Sequence, residues 1–544
     1  MQAPFPGVPL DNGARPAYHP GMTSGLRLHR LAAATGVLLL SGCATLGTAP
    51  PAAAPLRQLV DSITTTPPLD RTHWGIEVWD ARRGRPLARL NGDDHFVPAS
   101  NQKLLVTATA LEELGPQWRY RTPLLVSGAP GDSAVAELVV RGRGDPTLSA
   151  RYHPTERAPL DSLADSVALA GIRAVELLVV DATWFDAALV HGTWEVGDLD
   201  YYYAAPVAAF GVAEGVIPLH RAPGPEPGAP AEVRALEPYG TAVVRSRVRT
   251  GEAGSARRWE VRRIPGTDTL LFAGALPVDA APDTTWITPT NPAVHAAVSL
   301  RRALTDRGLR VGAVRVEQTN GDLLIPAPDA ARAAPAAQPS APAERPGPAL
   351  LGEAATPSRD DYRTLAVWTS PPLSDIVAGI LKPSQNWIAE HLLKTLGAER
   401  GEGGSWAAGA AVERRFLFER VGIDSSAIVI RDASGLSAQN LVTPRALVQL
   451  LEHARTRPWG AVYRAALAEP TRPGTLSRRL EALAGHVQAK TGTITHVNAL
   501  SGYLTTASGE ELTFSILTNA SGRPAGEVRA AIDRIVEAAA REPR

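Results

Sequence analysis

Two reactive side chains sit three residues apart in Pro98-Ala99-Ser100-Asn101-Gln102-Lys103-Leu104. Apolar residues continue at Leu104, Leu105, Ala108, Leu111 and Leu114 until Gly115-Pro116 stops the run, a spacing that predicts a helix. Positions i and i+3 share one helical face, so Ser100 Oγ and Lys103 Nζ can meet there. A serine hydroxyl becomes a nucleophile only when a nearby base takes its proton, and lysine is such a base only when neutral. The positive end of a helix and a second cation nearby both disfavour the ammonium form. Two later triplets carry complementary groups. Ser384-Gln385-Asn386 places a hydroxyl and a carboxamide between two helical patterns, and Lys490-Thr491-Gly492, followed by Thr493, lies in a strand pattern. Each triplet alone is a weak signal. Their order across helix, inter-helix loop and strand is much more specific.

The elements that must position these groups fill a chain of 544 residues with 44% hydrophobic content, enough for more than one core. Fifty-five basic residues balance 55 acidic ones, so the basic excess of a nucleic-acid binder is missing. Twelve histidines show no paired ligand spacing of the H-E-x-x-H kind, and neither a metal site nor a cofactor is expected. The one cysteine excludes an intrachain disulfide. It closes Leu40-Ser41-Gly42-Cys43 after the apolar run Leu31 to Leu40, with Arg27, His29 and Arg30 ahead of the run and Met22 as an internal start. That run is too short for a permanent membrane span and reads as an export signal. The tetrapeptide resembles a bacterial lipobox, which implies Cys43 as a lipid-modified N-terminus and a membrane held through that anchor. An ordinary signal peptide cut between Pro50 and Ala54 is the alternative. Either route exports the protein, and residues 1–21 are then an upstream mis-start.

Leu56 to Ile63 reads as a helix, and Trp74, Ile76 and Val78 alternate as a strand that turns at Ala81-Arg82-Arg83-Gly84 and returns through Pro86 to Leu90. Leu124 to Val126 and Glu137 to Val140 read as strands, the second ending in the turn Arg141 to Leu148. Mixed short strands follow, with Val175 to Val180 and Ala242 to Val248 among them, then a helix over Asn291 to Leu309. Helices return at Leu373 to Leu381, Trp387 to Leu396, Ala407 to Val421 and Pro444 to Arg455. His486 to Thr506 and Leu512 to Ala520 read as two strands, and Val528, Ile532, Ile535, Val536 and Ala539 as a closing helix. A helix and strand pair at the start and a strand pair and helix at the end imply that both ends pack on one sheet, an α/β (α+β) architecture. The expected division is an upstream segment with signal and tether (1–55), a domain in two parts (56–149 and 359–544), inserted mostly β domains (150–325) and an Ala/Pro-rich linker (326–358).

The set S-x-x-K, S-x-N and K-T-G is the one that class A β-lactamases and penicillin-binding proteins carry. With its wide spacing between Ser100 and Ser384, the chain resembles the low-molecular-weight class C penicillin-binding proteins, the D-alanyl-D-alanine carboxypeptidase/endopeptidase family. Further stretches with that likeness are Gly142 to Leu148, Tyr202 to Val207, Asn291-Pro292-Ala293, Asp432 to Ser437 and Gly474-Thr475-Leu476. The resemblance implies a serine β-lactamase/transpeptidase-like domain, an antiparallel sheet flanked by helices, with domains inserted between the first two motifs. It also implies a serine DD-peptidase acting on peptidoglycan stem peptides and acylated by β-lactams.

In that scheme Ser100 attacks a carbonyl and Lys103 takes its proton. Ser384 relays a proton to the leaving amine, and Asn386 holds Lys103 and the substrate amide. Lys490 lowers the proton affinity of its lysine neighbour and favours a substrate carboxylate, which Thr491 binds. Gly492 admits a substrate strand, and the N–H groups of Ser100 and Thr493 form the oxyanion hole. The resemblance implies that Trp194 and Asp198 read the stem-peptide side chain. Three positions depart from the family's pattern: Gln385 stands where Asp or Asn is usual, Gly197 interrupts the Trp194 to Asp198 stretch, and Ala438 stands where an Arg often follows S-G-L-S. Two other readings remain open at this level, a serine β-lactamase or esterase on the same scaffold and a non-catalytic peptidoglycan-binding lipoprotein.

Overall fold

In the computed structural model, which describes residues 55–236, 241–327, 349–351 and 362–541, both ends of that span feed one antiparallel sheet. The expected signal, lipobox and Cys43 lie outside the described residues, as does most of the expected linker. Helix α1 (Pro55–Thr65) buries Leu56, Val60 and Ile63, and β1 (His73–Asp80) and β2 (Arg85–Leu90) form a hairpin behind it. A 3-10 turn (Ala99–Gln102) then enters α2 (Lys103–Glu113), buried on all sides from Lys103 to Leu111. Strands β3 (Arg121–Val126) and β4 (Ala134–Arg141), helix α3 (Ala158–Leu169) and strand β5 (Ala174–Asp181) follow.

A small β module comes next: β6 (Ile217–Ala222), β7 (Glu232–Ala235), β8 (Val243–Ser246), β9 (Arg249–Gly251), β10 (Arg258–Arg263), β11 (Thr269–Pro277) and β12 (Asp283–Ile287). Its own core centres on Ile217, Leu219, Val248, Leu270 and Phe272. Helix α4 (Pro292–Asp306) is capped by Asn291, whose side-chain oxygen accepts from the N–H groups of Ala293 and Val294. Strands β13 (Arg310–Glu317), β14 (Asp322–Ile325), β15 (Ala349–Leu351) and β16 (Arg363–Thr369) complete a seven-stranded sheet of order β15-β14-β13-β5-β4-β3-β16. Its β13, β5 and β4 are parallel, and α3 links β4 to β5, so this region is α/β while the module is all β. The sheet spans the positions 149/150 and 358/359, drawing β3, β4 and β16 together with β5 and β13.

Helices α5 (Leu373–Leu381), α6 (Asn386–Arg400) and α7 (Trp406–Arg415) match the sequence reading. A π-helical turn (Phe416–Val421) ends at Gly422, which takes φ 80°. After β17 (Ile428–Val429), β18 (Leu441–Val442), α8 (Pro444–Arg455) and α9 (Gly460–Ala465) come β19 (Val487–Ile494), β20 (Val497–Thr505), β21 (Glu511–Asn519) and α10 (Ala525–Arg541). The stretch His486 to Thr506, expected as one strand, is therefore a hairpin. Its turn passes through Thr495 and His496, with His496 at φ 61° and no Gly or Asn to announce it.

The five-stranded sheet has the order β19-β20-β21-β1-β2. Along β20 the side chains alternate as a pleat requires. Leu500 and Leu504 pack with Ile532 and Ile535 of α10 and with α1, whereas Ala499 and Tyr503 join the core that holds α2 and α8. The chain thus has the expected fold class, an antiparallel sheet flanked by helices with β-rich insertions.

Candidate active site

Ser100 sits in the 3-10 turn ahead of α2, and the residue before it, Ala99, takes φ 46°. Such backbone costs about 1–3 kcal/mol and persists only where neighbours enforce it. Here they do. A Cβ on Gly435 would lie 1.8 Å from Ala99 O, and one on Gly492 would lie 2.9 Å from Pro98 O. Gly492 is also the residue expected to admit a substrate strand; its missing side chain lets β19 close on the turn that carries Ser100.

Lys103 opens α2 and is fully buried. Its Nζ lies 2.7 Å from Asn386 Oδ1, 2.6 Å from Ser434 O and 2.9 Å from Ser100 Oγ. The first two atoms can only accept. A neutral amine has two N–H bonds, so those partners use both and leave the lone pair facing the Ser100 hydroxyl. Burial lowers the Lys103 pKa to about 7, against Glu390 and Asp432, whose charges raise it. The first cause is desolvation. Lys490, also fully buried, is pushed well below the ordinary lysine value by burial and then by the charge of Lys103.

The middle triplet bridges the two lysines. Ser384, at φ 65°, receives a hydrogen bond from Lys490 Nζ at 2.8 Å, while Asn386 Oδ1 receives that of Lys103. Asn386 Nδ2 donates to Tyr203 O at 2.7 Å, which fixes the orientation of the carboxamide. Lys490 Nζ also donates to Thr491 O, and Thr491 Oγ1 to Thr475 Oγ1, both at 2.8 Å. Thr493 is exposed beside them, and Ser100 and Ser384 are half-buried, each hydroxyl within hydrogen-bond distance of a buried lysine.

Trp194 is buried, and its indole N–H donates to Asp432 Oδ2 at 2.9 Å. Asp198, partly exposed, accepts from the Tyr203 hydroxyl at 3.0 Å. Both residues therefore lie behind the partners of Lys103, Trp194 through the Asp432 loop and Asp198 through Tyr203, whose carbonyl holds Asn386.

Sequence reasoning gave no role to three groups that hold Lys103. The Asp432 carboxylate accepts from the N–H groups of Gly435 (2.9 Å) and Ser437 (2.7 Å) and from Asn440 Nδ2 (2.6 Å), shaping the loop. Glu390, fully buried on α6, accepts from Ser434 N at 2.8 Å and Trp406 Nε1 at 2.7 Å. The loop then turns Ser434 O toward Lys103. The stretch Asp432 to Ser437 carried a signal, but a backbone carbonyl has none of its own. Among the described residues no cluster of His, Cys, Asp and Glu could hold a metal ion, and no helix is long and apolar enough to cross a membrane.

Known proteins match nearly all of this chain. The model of the D-Ala-D-Ala carboxypeptidase 3 (S13) family matches residues 56–324 and 349–539. A D-alanyl-D-alanine carboxypeptidase of Actinomadura sp. is 35% identical over 529 residues, covering 93% of this chain and 90% of that protein. The crystal structure of penicillin binding protein 4 from Haemophilus influenzae superposes with a TM-score of 0.72 at 22% identity, covering 89% of this chain and 98% of that one. The same protein complexed with a novel β-lactam gives 0.68 at 21% identity, covering 90% and 99%. At those identities the structural likeness bears on the fold.

Proposed function

Because the chain belongs to the D-Ala-D-Ala carboxypeptidase 3 (S13) family and is a serine-type DD-peptidase of peptidoglycan, we propose that Ser100 is its nucleophile and Lys103 the base. The observation that carries this is the bonding of Lys103 Nζ, whose two carbonyl partners leave its lone pair on the Ser100 hydroxyl. Ser100 Oγ attacks the carbonyl carbon of the D-Ala residue whose amide bond is cut, while its proton passes to Lys103. The N–H groups of Ser100 and Thr493 receive the oxyanion. As the C–N bond breaks, Ser384, which accepts a hydrogen bond from Lys490 Nζ at 2.8 Å, relays the proton taken up by Lys103 to the departing amine, so that Lys103 is neutral again. Water, deprotonated by Lys103, then cleaves the Ser100 ester. The leaving amine is free D-Ala in the carboxypeptidase reaction and the side chain of a neighbouring stem in the endopeptidase reaction. Lys490 and Thr491 attract the substrate's carboxylate, and Trp194 and Asp198 shape the wall that meets its side chain.

A β-lactam presents a strained amide to the same serine. The test is the intact mass of residues 50–544 after brief exposure to benzylpenicillin, beside Ser100→Ala. The expected result is a lasting adduct of one drug molecule on the parent and none on the variant. Drug loss that depends on Ser100 without an adduct would make the protein a β-lactamase, and neither adduct nor drug loss would favour the wall-binding reading.

The place of action is the cell envelope, where peptidoglycan lies. Leu40-Ser41-Gly42-Cys43 supports a lipid anchor on Cys43. Fatty-acid labelling of the full chain in cells, expected to vanish in Cys43→Ser, tests it; labelling that persists would discard the anchor.

A further inference from the structure

The middle residue of the Ser384-Gln385-Asn386 triplet touches neither lysine, yet it is held from two sides. Gln385 Oε1 caps α6 by accepting from Trp387 N at 2.6 Å, while Gln385 Nε2 donates to a carboxylate oxygen of Glu214 in the inserted region. Glu214 stands in a run of three left-handed residues, Ala213, Glu214 and Gly215, at φ 53°, 54° and 70°. Two of the three are not glycine, so the turn is strained and needs outside support. Arg151 supplies it, pairing through Nε and, at 2.9 Å, Nη2 with the two oxygens of Glu214. From the other side, a Cβ on Gly215 would meet Trp387 Nε1 at 2.6 Å, so the turn presses on the start of α6. Ser384 itself is held at φ 65°, next to the capping Gln385.

We propose that Glu214, oriented by Arg151, is a positioning residue for the serine chemistry. Acting through Gln385, it keeps Ser384 Oγ on Lys490 and Asn386 Oδ1 on Lys103. The proposal rests on the roles given above to Ser384 and Asn386. Its chemistry is specific to this sequence: a carboxylate at 214 requires a donor at 385, which the amide of Gln385 provides and a carboxylate there would not. A charge-assisted bond of this kind outweighs a neutral one, and two facing carboxylates repel.

The test exchanges the two groups. Gln385→Glu keeps an acceptor for the α6 cap but sets a carboxylate against Glu214. The expected result is a loss of about ten- to a hundredfold in kcat on a D-Ala-D-Ala peptide and in acylation by benzylpenicillin, with KM little changed. Adding Glu214→Gln restores one amide and one carboxylate to the pair, and kcat should return to within about threefold of the parent. A parental kcat in Gln385→Glu, or an exchanged pair no better than the single variant, would overturn the proposal. Glu214→Ala, which only removes the acceptor, must also lower kcat without raising KM; a parental kcat there overturns it independently of how the exchanged pair folds. The parent's adduct, absent in Ser100→Ala, reports the functional reading separately.

Discussion

At the scale of residues, the site is two buried lysines behind two half-buried serines. Because burial holds Lys103 at about 7, acylation by benzylpenicillin should climb as pH rises through about 7 and level off above it. Stopped-flow or mass measurements across that range give the midpoint. Removing the Glu390 charge in Glu390→Gln takes away what most favours the ammonium, so the midpoint should move to lower pH; an unmoved midpoint would detach Glu390 from the base. The same group also acts on stability. Lys103 binds a proton more weakly in the fold than in the unfolded chain, where the ordinary value is 10.5. Its burial therefore destabilises the protein fully below about pH 7, and that cost fades as pH rises toward 10.5. The reactive side chains were legible in the sequence because chemistry demands their types. The groups that tune them were not: Ser434 acts through a backbone carbonyl, and Glu390 through Ser434.

At the scale of elements, the helices were legible because apolar positions recur with the helical period, as α5 and α8 show with the limits expected. The β19–β20 hairpin was not, since its turn uses His496 at φ 61° where a Gly or Asn would have marked it. The turn that carries the proposed nucleophile depends on close backbone contacts that the sequence hides in two glycines. Gly435→Ala sets a methyl 1.8 Å from Ala99 O in a residue at φ 78°. It should cost about 2 kcal/mol or more and slow acylation, because Ala99 must move and Ser100 follows it. Gly84→Ala is the control: φ is 63° but nothing lies within 4 Å. There the expectation is about 1 kcal/mol from the left-handed backbone alone, with acylation unchanged. Thermal unfolding and acylation rates measured together separate the two.

At the scale of the molecule, the pairing of both ends on one sheet followed from the mirrored helix and strand pattern. The seven-stranded sheet did not, because its neighbours are far apart in sequence: β16 pairs with β3, and β13 with β5 across the whole β module. The module's separate core makes its own prediction. Phe272→Ala should destabilise that core by about 3–5 kcal/mol. Hydrogen exchange should then speed up within 217–287 while the amides of α2 and β19 keep their protection, and faster exchange in α2 would mean that the cores unfold as one. The five-stranded sheet also sets an order in time. Ser100 and Lys103 leave the ribosome first, and β19 with its Lys490 comes roughly 390 residues later. At roughly 5–20 residues per second, that is a delay of about 20–80 s. A nascent chain therefore carries the proposed nucleophile without the strand that completes the site, and the site is complete only once β19 has been made.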